Sequence, residues 1–262
     1  MWAIMTYLLE GRILTLQRPD AVIDRIIYTI IAIFLIGTLI GMFAVRTFVK
    51  LGEFQIDEVS NNNYKRTIIT ITIAFSLGMT LYIIQNPPTL DPIVILNGFC
   101  QVLTVSIAEI VVCWVLLGNA IKNSTAEYSK YISITIATLI SSLAFGFYHF
   151  AHSPPFNTIQ MVFFLTIIGI GTSVFYFITK NIYATVIFHN FMGTLGVLNG
   201  LKAAGNLGAY SEPLVPIYIT ALISILILIG LDYLVQRAAL VKIEISREEK
   251  SSKEITPIIP PN

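Results

Sequence analysis

Glu109 is the acid with which the chemistry of this chain begins. It stands alone as an acid in an otherwise apolar run between Asp91 and Lys122. An ionisable side chain in lipid costs roughly 2.5–3.5 kcal/mol on insertion scales, so it marks a functional position by default. His149 and His189, two of the chain's 3 histidines, sit in later apolar segments. A carboxylate and an imidazole facing one water can share its activation, the carboxylate accepting the proton and the imidazole orienting or relaying it. A second imidazole or an amide can donate to the oxyanion that then develops.

Each residue also has a plainer reading. A transmembrane Glu can be protonated and hydrogen-bonded between helices, and His149 and His189 can be polar glue in the bundle. His152 lies at the end of an apolar segment, where an imidazole is commonly interfacial. Glu109, His149 and His189 have ligand types that suit zinc. They lack the HExxH spacing that puts ligands on one helical face, so the sequence calls for no metal and no cofactor.

The elements that must position these groups are membrane spans. The chain has 262 residues, 55% of them hydrophobic and only 12% charged, where a soluble domain carries about 25% charged residues. The expected fold is all-α and polytopic. Seven spans of about 20 apolar residues are predicted: Ile26–Val45, Thr67–Gln85, Ile93–Ile121, Tyr131–Phe150, Phe156–Thr179, Ile182–Asn199 and Leu214–Val235. An eighth requires the first twenty residues to insert, which Glu10 and Arg12 oppose. Residues 1–25 read as an interfacial segment with Trp2 and Tyr7 at the headgroups, and no signal peptide is visible there. Residues 26–92 hold two spans, 93–200 the membrane core, 201–241 a loop and the last span. Residues 242–262 read as a solvated charged tail, with no structure expected over its last dozen.

Lys and Arg gather in the 46–66 and 122–130 loops and in the tail, which places the tail in the cytoplasm and the N-terminus outside. Cys100 and Cys113 lie on one helix about 20 Å apart and cannot pair. The net charge of +1 gives no reason to expect nucleic acid.

Three segments carry the candidate chemistry: SIAEIVVCWVLLGNAI with Glu109, SSLAFGFYHFAHSPPF with His149 and His152, and TKNIYATVIFHNFMGTLGVLNG with His189, Asn190 and Asn199. Phe145 and His149 form an FxxxH pair. That pair resembles the second motif of the CPBP (Abi) family of CAAX-protease and bacteriocin-processing intramembrane proteases. Lys180–Gly193 resembles the third motif, HxxxN behind an aromatic-Ala lead-in, and Glu109 falls where the first, EExxxR, belongs. The resemblance implies an intramembrane endopeptidase acting on membrane-associated peptides or CAAX-type substrates, with Glu109, His149 and His189 as catalytic residues and lipids and a peptide or protein substrate as partners.

The chain also departs from that pattern. Ala108 stands where the family's first Glu falls, Cys113 where its Arg falls, and Gly193 where its Asn falls. The resemblance implies that the first Glu activates water with the second-motif His, that the third-motif His and Asn stabilise the oxyanion, and that the second Glu and the Arg pair across one turn. Either Glu109 is the structural Glu of a member without proteolysis, an immunity or regulatory partner, or it serves as the acid itself. Moving from 108 to 109 rotates a side chain by about 100°. Asn190 is a replacement for the Asn missing at 193 only if its side chain reaches the site. A proton-coupled carrier would show an inverted repeat or Gly/Pro-broken helix pairs, and neither is visible. Counted from span ends at 1.5 Å per residue, Glu109, His149 and His189 lie about 18, 27 and 10 Å deep, which does not bring them level.

Overall fold

Asp91, Ser129, Thr158 and Asn181 each precede an apolar run, and each starts a helix. The Asp91 carboxylate accepts from the Ile93 and Val94 amides, and Ser129, Thr158 and Asn181 accept from Ile132, Met161 and Ala184. These side chains satisfy amides that have no partner within the helix. Pro92 follows at the first helical position, where its missing N–H is no loss.

The computed structural model describes residues 1–15, 18, 21–54 and 64–255, and of residues 22 and 243–255 the backbone alone. The helices are α1 (Trp2–Thr6), α2 (Ile23–Leu51), α3 (Tyr64–Ile84), α4 (Pro92–Ser124), α5 (Lys130–Ala151), α6 (Ile159–Thr179), α7 (Ile182–Ala203) and α8 (Val215–Ile255). The protein is all-α and polytopic. Among the described residues, 6 helices are long and apolar enough to cross a membrane: α2 to α6 and the Val215–Lys242 part of α8.

The seventh expected span, Ile182–Asn199, is helical as part of α7 but is not among those 6. Its composition is more polar because it carries Thr185, His189, Asn190 and Thr194, and all of these are buried inside the bundle. The tail departs from expectation as well. Helix α8 continues unbroken to Ile255, through Glu-, Lys- and Arg-rich sequence that favours helix. Residues 256–262 lie outside the described residues.

Helix α4 is the axis of the fold. Its apolar window is 67% buried, against 17–44% for the other five, and it packs against α2, α5, α7 and α8. Just after Glu109 it changes to π winding over Ile110–Gly118, a form common at functional sites.

The N-terminal segment packs on the bundle along one side. Trp2, expected among headgroups, is buried and stacks on Tyr148 at 3.8 Å between ring centroids, while the Thr6 hydroxyl lies 3.0 Å from the Tyr148 hydroxyl. Tyr7 stays exposed. A Cβ at Gly11 would sit 2.1 Å from the Ala151 carbonyl oxygen, so only glycine lets this segment lie on the turn that ends α5.

Candidate active site

Four elements bring titratable side chains to one place beside α4. Glu109 comes from α4, His149 from the last turn of α5, His189 from the middle of α7, and His152 from the chain just beyond α5; all four are buried. His189 Nε2 lies 3.1 Å from Glu109 Oε2, and His149 Nε2 lies 3.6 Å from Glu109 Oε1. The carboxylate is therefore held between two imidazoles from different helices, and the unequal depths counted along the sequence do not keep the groups apart. Helices whose ends are not level can still cross at one point.

Each ring has a support on its far side. His149 Nδ1 is 2.9 Å from the Phe145 carbonyl oxygen, which only accepts, so Nδ1 carries the proton. This explains the FxxxH spacing locally: the His reaches the carbonyl one helical turn back, and the Phe145 ring packs edge-on against it at 4.7 Å. His189 Nδ1 is 2.9 Å from Thr172 Oγ1. The same hydroxyl donates to the Ile168 carbonyl at 3.0 Å, and His189 Nε2 faces the Glu109 carboxylate. Trp114 and Phe145 close over His189 at 5.3 and 5.2 Å.

The neighbours of the expected residues are decided by packing. Ala108 is fully buried on the other face of α4, and its Cβ would lie 2.7 Å from a Cβ placed at Gly37 of α2. It faces α2, not the histidines. Cys113 is buried in the apolar core. Gly193 lines the cavity, but a Cβ there would meet Val102 Cγ1 at 2.6 Å. Asn190 does not replace the missing Asn. Its Oδ1 accepts from Ser106 Oγ at 2.9 Å and its Nδ2 donates to the Phe99 carbonyl at 2.8 Å, so both ends tie α7 to α4.

His152 corrects the interfacial reading. It is buried, its ring lies 5.1 Å from that of His149, and its Nδ1 is 3.1 Å from Glu10 Oε2. Glu10, the residue expected to keep the first segment out of the membrane, is fully buried. Its carboxylate also accepts from the Ser153 amide at 3.0 and 3.2 Å and from the Ser153 hydroxyl. Two sequence signals point to this pair. His149 and His152 are three apart, and Glu10 interrupts an apolar run.

The four groups line a cavity of about 400 Å³. Its remaining wall is mostly apolar and includes Val105, Phe164 and Leu165 and, from α7, Met192, Gly193 and Gly196. A family model described as type II CAAX prenyl endopeptidase Rce1-like matches residues 91–195. Over these residues the chain is similar to that family. The CAAX-endopeptidase-like part runs from the cap of α4 into the second half of α7, and so contains Glu109, His149, His152 and His189. Glu10 lies outside it, as do α1, α2, α3 and α8. Neither the curated proteins nor the solved structures contain a match.

Proposed function

We propose that this integral membrane protein is an intramembrane endopeptidase that hydrolyses membrane-associated peptides or CAAX-type substrates. The observation that carries the reading is the Glu109 carboxylate held between His149 and His189 at the wall of a mostly apolar cavity. Glu109 accepts a proton from a water placed between it and His149. The resulting hydroxide attacks the scissile carbonyl carbon, and the C–O π pair moves onto oxygen. His189 is the imidazole closest to the reacting groups that can donate to that oxyanion, since Asn190 is engaged with α4. Collapse breaks the C–N bond, and the proton on Glu109 passes to the leaving amine. The apolar wall suits a lipid-anchored or hydrophobic segment, and the tail is assigned to the cytoplasmic side.

The test is cleavage of a peptide library by detergent-purified protein. Wild type should cleave, and Glu109→Ala and His149→Ala should each lose about 100-fold or more. No cleavage above those variants would sink the reading.

A second reading is a non-proteolytic member of the same family acting as an immunity or regulatory membrane partner. What favours it is that small residues stand at 108 and 193, both in tight contact with neighbouring helices. It requires the wild type and Glu109→Ala to behave alike in every cleavage assay while retaining a shared, isolable membrane partner.

A further inference from the structure

We infer that Glu109, His149 and His152 form a binding site for one divalent transition metal ion, zinc by its ligand chemistry, with Glu10 holding His152 in position. One ring nitrogen of each histidine and one oxygen of Glu109 lie within 4.8 Å of one another.

Hydrogen bonding shows which atoms are available. The proton on His149 sits on Nδ1, facing the Phe145 carbonyl, which leaves the Nε2 lone pair facing Glu109 Oε1 at 3.6 Å. That separation is too long for a hydrogen bond. The Glu10 carboxylate takes the Nδ1 proton of His152. This leaves His152 Nε2 buried with no hydrogen-bond partner, on a residue whose relative exposure is 7%. Two imidazoles, each held at one ring nitrogen by a carbonyl or a carboxylate, and a carboxylate oxygen therefore meet in a buried place. Such a group of acceptors is costly unless something positive joins it.

The geometry and the surroundings suit zinc. Bonds of about 2.0–2.1 Å in a tetrahedron put neighbouring ligand atoms about 3.4 Å apart, close to the 3.6 Å between His149 Nε2 and Glu109 Oε1. The outer support is of the type that metal-bound histidines use, a carbonyl or carboxylate on the other ring nitrogen: Phe145 for His149 and Glu10 for His152. His189 holds the second oxygen of Glu109, which fixes the carboxylate with one oxygen towards the ion. Three protein ligands leave the fourth position of a tetrahedron open, and all three residues line the cavity.

This inference does not depend on hydrolysis, because binding is measured without a substrate. With an ion present Glu109 is a ligand, and the cavity-facing position is where a water would sit. A wild type that binds zinc and cleaves nothing keeps the metal site and loses the protease reading; one that cleaves and binds no zinc does the reverse.

The experiment uses full-length protein in detergent, stripped with chelator and titrated with Zn²⁺ or Co²⁺. Wild type should bind one equivalent of zinc and give the visible d–d absorption of four-coordinate cobalt. His152→Ala should lose both, and Glu10→Gln should weaken binding roughly 10–100-fold. His152→Cys guards against loss through misfolding. It replaces one ligand by another, so it should still bind cobalt and gain a thiolate-to-cobalt charge-transfer band absent from wild type. Less than 0.2 equivalents of zinc on wild type, or equal binding by wild type and His152→Ala, would overturn the proposal and leave a water as the group among these acceptors.

Discussion

Ala108 and Glu109 are adjacent in the chain and face opposite partners. Glu109 turns towards His149 and His189, while Ala108 lies flat against Gly37 of α2. The rotation of about 100° between neighbouring helical residues is therefore used in full, and the side chain that reaches the histidines is the one at 109. Glu109 is the α4 acid in the site, and position 108 is a packing position.

Ala108→Glu should not add activity. A carboxylate there would be forced into the α2–α4 contact with no partner, at a cost of roughly 3 kcal/mol or more. A lower thermal midpoint in detergent, with cleavage no higher than wild type, is the expected outcome. A stable variant with raised cleavage would mean that position 108 can reach the site.

Gly193→Asn should also destabilise, because its Cβ would strike Val102. The double variant Gly193→Asn with Val102→Ala removes the struck methyl groups and should recover most of the lost stability. Thermal unfolding of the single and double variants checks this, and equal midpoints for the two would show that the contact is not the cause.

Thr172→Val should lower cleavage while leaving the fold intact. It removes the hydroxyl that pairs with His189 Nδ1, leaving that buried ring nitrogen without its partner and the ring less firmly held towards Glu109. A hydrogen bond of this sort contributes about 0.5–1.5 kcal/mol, so a loss of roughly two- to tenfold in kcat is expected. Thr172→Ser, which keeps the hydroxyl, should stay near wild type. Equal loss in both would point to packing rather than to the hydrogen bond.

Gly11→Ala should loosen the turn that carries His149 and His152. Its methyl group would displace the Ala151 carbonyl and lift Glu10 from His152 and Ser153. Faster amide hydrogen exchange at residues 149–153 is the expected readout. Ile4→Ala, on an exposed side chain of the same segment, should leave that exchange unchanged.

Much of the site could be read along the sequence because burying a charge in an apolar segment is costly. A lone Glu109, and His149 and His189 in apolar runs, stand out whatever the fold, and the FxxxH spacing already contains the Nδ1–carbonyl bond. The polarity of α7 was equally visible; in the bundle those polar side chains face inward. His152 reads as interfacial because it lies at the end of an apolar segment, and Glu10 because it interrupts one; nothing local says whether such a group meets water or another part of the chain.

The sequence by itself determined an all-α membrane protein, its apolar helices, and a carboxylate and two imidazoles held away from water. These follow from composition and from periods of a few residues, which act locally. Tertiary structure alone decided that Glu109 and not Ala108 meets the histidines, that Asn190 is engaged with α4, and that Glu10 returns across the bundle to His152. Those facts depend on where helices cross and on which face each turns to its neighbour. A rotation of one residue on α4 changes them, while leaving composition and hydropathy the same.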